Sequence, residues 1–410
     1  MNILYICDEY PPAKSGGIGS AVKIVAEAMA SLGHAVYVLG GYMPYEKLPD
    51  YQYQNGVHVY RCMYFKQMKY IFALDTYLLL YAILRKLKVW SMIARMEMKK
   101  FANHINVFVE KHNIEIIEFP DYTKLLSQYL DANFLSFPKF RVPFIVRVHG
   151  SPVFLNYYGK RTNTQLAIKN ISSLYKSADK ILAVSHFAAG FLKKELHIEN
   201  QIDVIYNPVS FEDTDITTSE KDKWIVFVGK INETKGAFNL LAAFNFFALK
   251  YPNYKLLMIG GGDIKKGKQL LSSFAEKKVI FTGYVTHSQV TQYVAKAEFC
   301  VMPSFFETQG LAAIETMHLS KALIFTQTSS GPELVEHEES GLLVNPHNVH
   351  DICTAMVRLA TDQALRIKLE TNAKMTVEKR FSINVIIEQL ESAYKDCITE
   401  YVSSSGNTIK

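Results

Sequence analysis

Cysteine is scarce and scattered in this chain of 410 residues. The cysteines are odd in number and form no C-x-x-C pair; they are Cys7, Cys62, Cys300, Cys353 and Cys397. This pattern argues against a disulfide framework and against a zinc site, and it fits a reducing compartment. The chain also lacks a solenoid repeat and any Pro-, Gly- or Ser-rich tract long enough for a disordered linker. We therefore expect a folded cytoplasmic protein.

Long apolar runs are also missing. The N-terminal run ends at Asp8 and lacks the basic start of a secretory signal, so we predict a strand there. A second run, Tyr70 to Leu84, is interrupted by Asp75 and is too short to span a bilayer, which takes about 20 residues.

Positive charge is concentrated in one segment. Residues 1–208 hold 24 Lys and Arg against 16 Asp and Glu, a net +8, whereas the remainder has a net −2. Most of the excess lies in residues 61–100, where nine basic residues face two acids among many aromatic ones. Such a segment could lie against the anionic inner face of a membrane, or it could be a core helix with a solvated basic end. No nucleic-acid partner is expected.

Short apolar runs alternate with longer segments of helical period, which is typical of parallel βαβ units. The chain is longer than one core usually organises, so we predict domains at 1–208 and 209–382, with a C-terminal segment 383–410 whose helix ends at about Ile398. A polar linker is predicted from Glu212 to Lys223. The predicted strands are Ile3–Cys7, Ala35–Leu39, Ile114–Glu118, Phe144–Val148, Lys180–Val184, Asp203–Ile205, Trp224–Val228, Lys255–Ile259, Val279–Thr282, Phe299–Met302 and Ala322–Phe325.

A glycine-rich loop follows the first predicted strand. Gly16, Gly17 and Gly19 would let backbone N–H groups approach a phosphate or a sugar near a helix N-terminus. A plain strand-to-helix turn explains the same pattern equally well. Neither half has the G-x-G-x-x-G pattern followed by an acid about 20 residues later, which disfavours a dehydrogenase.

Two lysines occupy the loop after the predicted strand Trp224–Val228. Lys230 and Lys235 could both reach a diphosphate, whose negative charge grows as the bond to it breaks. Lysine pairs are also common on surface loops, so an ordinary solvated loop is an open alternative.

Two glutamates, eight residues apart, follow the predicted strand Phe299–Met302. Glu307 would lie in a loop and Glu315 about two turns into a helix. Unpaired N–H groups near Gln309, Gly310 and Leu311 would form an anion site between the two carboxylates. For Glu315 alone, a solvated helix position is the alternative interpretation.

In this order and spacing, the motifs G-[RK]-x4-K-G, P-S and E-x7-E resemble the retaining nucleotide-sugar glycosyltransferases of GT-B architecture, family 4. The resemblance implies an α/β fold in which two Rossmann-like domains face each other across a cleft, with the last helix crossing back to the first domain. Three departures are Lys230, where arginine is usual, residues 316–322, where small residues and a Gly-x-Pro pattern are usual, and Ser329-Ser330-Gly331, where a glycine pair is usual. Further matching segments are Val148-His149-Gly150, Ala183-Val184-Ser185, Tyr206-Asn207-Pro208-Val209, Gly283-Tyr284-Val285 and Ser340-Gly341-Leu342-Leu343-Val344.

The resemblance also assigns roles to individual residues. Lys230 and Lys235 would bind the donor diphosphate, Glu315 the ribose, and Glu307 the hydroxyls of the transferred sugar. Val285 would meet the base through its backbone, while Gly16 and Gly17 would line the cleft. His149 would face the donor sugar, although a lone histidine at a strand end is more often structural. The implied catalytic residues are His149, Lys235 and Glu307, and the implied donor-binding residues are Gly16, Gly17, Lys230, Lys235, Val285, Gln309, Gly310, Leu311 and Glu315.

The implied activity is hexosyl transfer with retention from a nucleotide-sugar, UDP-sugar being favoured over GDP-sugar, to a glycan or lipid-linked acceptor. No cofactor or metal is expected, because no acidic D-x-D cluster occurs near the motifs. Closure about a hinge near residues 207–210 would exclude water from the donor. Two alternatives stay open: a GT-B enzyme without transfer, such as an epimerase or a phosphorylase-like enzyme, and a non-catalytic nucleotide-sugar-binding partner of another transferase.

Overall fold

The computed structural model describes residues 1–13, 16–41, 48–62, 89–133, 136–209 and 223–405. They form two compact units, one from Met1–Pro208 with Ile386–Lys410 and the other from Val209–Val385. The apolar run Tyr70 to Leu84 lies outside the described residues, as does nearly all of the linker predicted up to Lys223. Within the described part, no helix is long and apolar enough to cross a membrane.

The first unit is built on a single sheet whose central strands are buried apolar runs. Its strands are β1 (Asn2–Ile6), β2 (Ala35–Gly41), β3 (Tyr51–Gln54), β4 (Val57–Cys62), β5 (Ile116–Pro120), β6 (Phe144–Val148), β7 (Lys180–Ala183) and β8 (Ile202–Val204). They lie in the order β3-β4-β2-β1-β5-β6-β7-β8, and every neighbouring pair is parallel except β3 with β4. The helices of this unit are α1 (Gly17–Ser31), α2 (Val89–His112), α3 (Lys124–Tyr129), α4 (Pro152–Tyr158), α5 (Gln165–Ser177), α6 (His186–Lys194) and, near the C-terminus, α15 (Ile383–Ser405).

The second unit has a fully parallel sheet. Its strands are β9 (Trp224–Val228), β10 (Lys255–Ile259), β11 (Val279–Gly283), β12 (Phe299–Met302), β13 (Leu323–Thr326) and β14 (Leu342–Val344). They lie in the order β11-β10-β9-β12-β13-β14, so the chain reverses its direction of travel across the sheet between β9 and β12. The helices are α7 (Ala237–Lys250), α8 (Ile264–Gln269), α9 (Ser273–Glu276), α10 (His287–Lys296), α11 (Leu311–His318), α12 (Gly331–Leu334), α13 (Val349–Thr361) and α14 (Gln363–Arg380).

Continuous apolar strands are buried because helices cover both faces of a parallel sheet. In the second unit, Ile225 and Phe227 of β9 pack in one core with Leu240 and Phe244 of α7. In the first unit, α1 turns Val22, Val25 and Met29 inward at helical spacing. The predicted α/β fold with two Rossmann-like halves is therefore confirmed.

Three details of the sequence prediction were wrong. The hairpin β3–β4 was missed, and its antiparallel edge strand breaks the all-parallel expectation for the first sheet. The short strand β14 was not predicted as a strand. The final helix runs on to Ser405 rather than ending near Ile398, and its Tyr394 hydroxyl donates a hydrogen bond of 2.5 Å to Glu118 within the first unit.

Candidate active site

The strand order of the second unit places its site at the reversal between β9 and β12. In open parallel sheets, ligands bind beyond the carboxyl ends of the strands at such a switch point. The loop 229–236 leaves β9 and the loop 303–310 leaves its neighbour β12. The lysine loop and the first glutamate therefore emerge side by side, although 72 residues separate Lys235 from Glu307 in sequence.

The lysine loop is fixed by close backbone packing. The Asn232 side chain accepts a hydrogen bond of 2.9 Å from the Lys235 amide. Gly236 has φ +67, and a Cβ there would lie 1.8 Å from the carbonyl oxygen of Pro303, so only glycine fits without movement. The Phe305 amide donates to the carbonyl oxygen of Thr234 at 2.8 Å, which joins the two loops directly.

Lys235 and Glu307 form a close pair at the junction of these loops. The Lys235 ammonium lies 2.7 Å and 2.8 Å from the two Glu307 carboxylate oxygens. The Ser304 hydroxyl donates to Glu307 Oε1 at 2.8 Å. The side chains are 34% and 13% exposed respectively, so the lysine is still open to solvent while the carboxylate is held on several sides. A cation beside a half-buried carboxylate can bind a phosphate and a sugar hydroxyl at the same place.

Three helices that begin directly after a glycine have no side-chain cap. α1, α7 and α11 start after Gly16, Gly236 and Gly310, and none of these three starts has a side-chain cap. Several other helices are capped by a side chain, for example by Thr123 before α3 and Thr286 before α10, although the short α12 also lacks a cap. Unpaired first-turn N–H groups with the positive end of the helix dipole favour a bound anion.

Three further predicted donor residues, Lys230, Val285 and Glu315, belong to the same unit. Lys230 is exposed on the lysine loop, and Val285 is half-buried after β11. Glu315 pairs with His287, its Oε1 lying 3.2 Å from His287 Nε2, on the flank where α11 meets α10. The structure thus pairs Lys235 with Glu307, while it places Glu315 in a separate contact.

The helix start between the two glutamates is only partly accessible. Gln309 is buried at 3% exposure, whereas Gly310 and Leu311 are half-buried. Gly310 has φ +89, in the left-handed region that favours glycine.

A run of three glycines contributes to the site and was missed in the sequence. Gly260, Gly261 and Gly262 follow β10, where a Cβ on Gly260 would lie 2.1 Å from the Gly229 carbonyl oxygen. The Ile231 amide donates to the Gly261 carbonyl oxygen at 2.8 Å. The glycines therefore allow the loops after β9 and β10 to touch, and the signal was available as a glycine run directly after an apolar strand.

In the first unit, His149 lies at the carboxyl end of β6. Its Nε2 is enclosed and has no hydrogen-bond partner in the described part of the chain. Burial, with a smaller contribution from the Arg147 charge, lowers the pKa of His149 to about 3. The imidazole is therefore neutral at pH 7 and can donate or accept a hydrogen bond without carrying charge.

A buried carboxylate that the sequence prediction overlooked holds the His149 backbone. Asp121, directly after β5, accepts hydrogen bonds from the amides of His149 at 2.9 Å and Gly150 at 3.1 Å. The Tyr175 hydroxyl donates to it at 3.0 Å. Burial raises the pKa of Asp121 to about 6, despite these donors. An acid immediately after a buried strand was the available signal.

The glycine loop of the first unit follows β1, at the switch point between β1 and β5. Gly16 is the N-cap of α1 and Gly17 is its first helical residue. The Gly16 amide donates to a Glu9 carboxylate oxygen at 3.1 Å, so an acid of this chain already occupies part of the predicted anion position.

Two family descriptions match adjoining parts of the chain. Glycosyltransferase Family 4 matches residues 94–213, and Glycosyl transferases group 1 matches residues 210–376. An uncharacterized glycosyltransferase of Methanocaldococcus jannaschii is 26% identical over 419 residues, which cover 96% of this chain and 98% of that one. The N-acetylgalactosamine-N,N'-diacetylbacillosaminyl-diphospho-undecaprenol 4-alpha-N-acetylgalactosaminyltransferase of Campylobacter jejuni is 30% identical over 214 residues, 50% of this chain and 57% of that one.

Solved structures share the complete fold. Sucrose-phosphate synthase from Thermosynechococcus elongatus superposes with a TM-score of 0.75 at 20% identity, covering 97% of this chain and 99% of that one. Anabaena HepE, crystallised with UDP and glucose, superposes with a TM-score of 0.67 at 17% identity, covering 97% and 100%. At these identities the likeness establishes the architecture alone.

Proposed function

Since the chain belongs to the family 4 glycosyltransferases of GT-B architecture, we propose that it transfers a hexose from a UDP-sugar to a glycan or lipid-linked acceptor, with retention. The observation that carries the proposal is the Lys235–Glu307 pair at the switch point, beside the uncapped start of α11. In this proposal the reaction contributes to the synthesis of a surface polysaccharide or glycoconjugate.

The diphosphate of the donor is proposed to bind within the second unit, at the glycine-initiated starts of α7 and α11 and at Lys235. The ammonium and the first-turn N–H groups offset the negative charge that grows on the leaving phosphate as the glycosidic bond breaks. Glu307 then accepts hydrogen bonds from the transferred sugar, and Glu315 binds the ribose. Lys230, being exposed on the same loop, supplies a point charge where an arginine would offer a fork.

Retention requires the acceptor oxygen to attack the face from which the diphosphate leaves. The leaving phosphate can itself take the proton of the acceptor hydroxyl, so no second carboxylate is needed as a base. A neutral His149 suits a hydrogen bond to a sugar hydroxyl in the first unit, because its lowered pKa keeps the imidazole uncharged at pH 7.

The acceptor class is supported by two separate observations. The Campylobacter relative is named for transfer to a diphospho-undecaprenol-linked sugar. In the first unit, α2 exposes Met92 and Met96 together with Lys99, a combination that suits the surface of an anionic membrane. We propose that the enzyme meets a lipid-linked glycan at that surface.

The central prediction concerns the ion pair. We expect Lys235→Met and Glu307→Gln each to lower kcat with a UDP-sugar by about 100-fold, because each removes a charge aimed at the reacting region. The matched control is Lys368→Met, which breaks an exposed pair in the same unit, Lys368 Nζ to Glu339 Oε1 at 2.6 Å. Initial rates with a panel of UDP-, GDP- and ADP-sugars provide the measurement.

Three results would speak against the proposal. Turnover surviving the combined Lys235→Ala and Glu307→Ala change would remove the site assignment. An inverted anomeric product, identified by NMR, would contradict retention. Isomerised donor without a transfer product would instead favour an epimerase.

A further inference from the structure

Three consecutive hydroxyl residues after β13 contact the loop that carries Glu307. We call Thr328, Ser329 and Ser330 the hydroxyl row. Each hydroxyl makes one hydrogen bond to the main chain of the loop, and the three bonded loop residues are two positions apart. The row therefore runs alongside the loop. The bonds join Thr328 Oγ1 to Phe305 O at 2.9 Å, Ser329 Oγ to Glu307 N at 2.9 Å, and Ser330 Oγ to Gln309 O at 3.1 Å.

The row is held in place by its own surroundings. Thr328 Oγ1 also lies 2.8 Å from Thr326 Oγ1 at the end of β13, and Ser330 is fully buried. A Cβ on the following residue, Gly331, would lie 1.8 Å from the Thr326 carbonyl oxygen. The turn after β13 is therefore closely packed and has little freedom to move. A rigid turn can therefore fix the irregular loop beside it.

Ser329 adopts a backbone conformation that serine does not favour. Its φ of +55 lies in the left-handed region, where glycine has the advantage. The serine hydroxyl offsets this cost locally, because it accepts a hydrogen bond from the Glu307 amide. Glycine at this position would relieve the backbone but would leave that amide without the Ser329 partner.

We infer that the hydroxyl row is a positioning device that sets the Glu307 carboxylate and thereby governs recognition of the transferred sugar. The inference rests on the proposed function, in which Glu307 binds the sugar and other groups bind the nucleotide. The row fixes the Glu307 backbone, while Ser304 and Lys235 fix its carboxylate at 2.7 to 2.8 Å. Thr328, Ser329 and Ser330 act through Glu307 and are positioning residues.

The inference predicts that variants of the hydroxyl row lose recognition of the transferred sugar but keep their affinity for the nucleotide. Loss of one hydroxyl should lower kcat and UDP-sugar affinity together by about 10-fold in kcat/KM, the effect of one lost hydrogen bond. The affinity for UDP, which lacks the transferred sugar that Glu307 would bind, should be unchanged. A general structural defect would weaken both ligands in parallel.

The experiment compares Thr328→Val and Thr328→Ser, which differ in keeping the hydroxyl, with Ser329→Gly. The serine variant should retain wild-type behaviour, whereas the valine and glycine variants should lose sugar recognition. Ser329→Gly relieves the positive φ, so its loss of activity cannot arise from backbone strain. Thr354→Val is the control, because the Thr354 hydroxyl bonds to the carbonyl of His350 in its own helix at 2.8 Å.

Hydrogen exchange at the Glu307 amide gives a readout that needs no donor. Faster exchange in Ser329→Gly but not in Thr354→Val supports positioning by the row, even if no UDP-sugar is turned over by the wild type, which would defeat the proposed function alone. Unchanged exchange, unchanged kcat/KM in both defective variants, or a parallel loss of UDP affinity would overturn the inference.

Discussion

At the scale of single residues, burial has shifted the pKa values of two neighbouring groups of the first unit in opposite directions. His149 loses affinity for a proton, with a pKa of about 3, while Asp121 gains affinity, with a pKa of about 6. Both shifts disfavour charge, as expected where water is excluded. Asp121 contacts the His149 amide and not its ring, so replacing the imidazole leaves the carboxylate contact in place.

We predict that His149→Gln changes how stability depends on pH. A histidine whose folded pKa is lowered stabilises the fold above its unfolded pKa of about 6.5, and that contribution is lost as pH falls toward its folded pKa. Between pH 7 and pH 4, the free energy of unfolding of the wild type should therefore fall by on the order of 2 kcal/mol more than that of the glutamine variant. Urea unfolding of both proteins at pH 7, 5.5 and 4 measures the difference. Parallel pH curves would show that the ring is solvated.

At the scale of elements, the site depends on loops that approach one another through glycine. Gly33 and Gly236 make a useful pair, since their φ angles are +85 and +67. A Cβ on Gly33 meets nothing within 4 Å, whereas one on Gly236 meets the Pro303 carbonyl oxygen at 1.8 Å. The two positions separate the cost of a left-handed backbone from the cost of pushing two loops apart.

We predict that Gly33→Ala destabilises the protein by about 1 kcal/mol and leaves UDP binding intact, since only the backbone conformation is penalised. Gly236→Ala should be destabilising by several-fold more and should abolish UDP binding, because loop 229–236 has to move off Pro303. Urea unfolding and UDP titration check both variants. Equal effects of the two substitutions would show that the loops can separate without loss of stability or of UDP binding.

Local patterns predicted the strands well where a strand is buried on both faces. Phe144–Val148, Trp224–Val228, Lys255–Ile259 and Phe299–Met302 are predominantly apolar runs, interrupted only by Arg147 and Lys255, and each has the predicted bounds. The hairpin β3–β4 was missed although Asn55 and Gly56, with φ of +50 and +80, form the turn that such a dipeptide favours. Its signal lay in turn chemistry and was overlooked in favour of apolar runs.

For the candidate site too, sequence patterns identified some residues but not the contacts between them. The sequence motifs indicated Lys235 and Glu307 separately, but their contact depends on β9 and β12 being neighbours, which no local pattern reveals. Asp121 and the hydroxyl row were missed for a related reason. Their partners lie 28 and 22 residues away, for example from Asp121 to His149 and from Ser329 to Glu307, so only the fold brings them together.

At the scale of the whole molecule, the excess positive charge belongs to the first 208 residues and is presented in part by α2. This helix buries Ala94, Met98 and Ile105. Its opposite face exposes Met92 at 56% and Met96 at 53%. Lys99 is exposed near them at helical spacing, so cation and apolar side chains share one surface.

We predict that this face of α2 binds anionic vesicles. Met92→Gln, Met96→Gln and Lys99→Gln combined should reduce co-flotation with phosphatidylserine vesicles by about 10-fold, since one cation near the surface contributes about 1 kcal/mol and the methionines add apolar area. Binding should weaken as salt is raised, because the charge term is screened. The control is Phe246→Gln with Leu249→Gln, which removes side chains 53% and 67% exposed on α7 of the other unit. Equal flotation of wild type and the triple variant would place membrane contact elsewhere in the chain, and no flotation of wild type at low salt would exclude it.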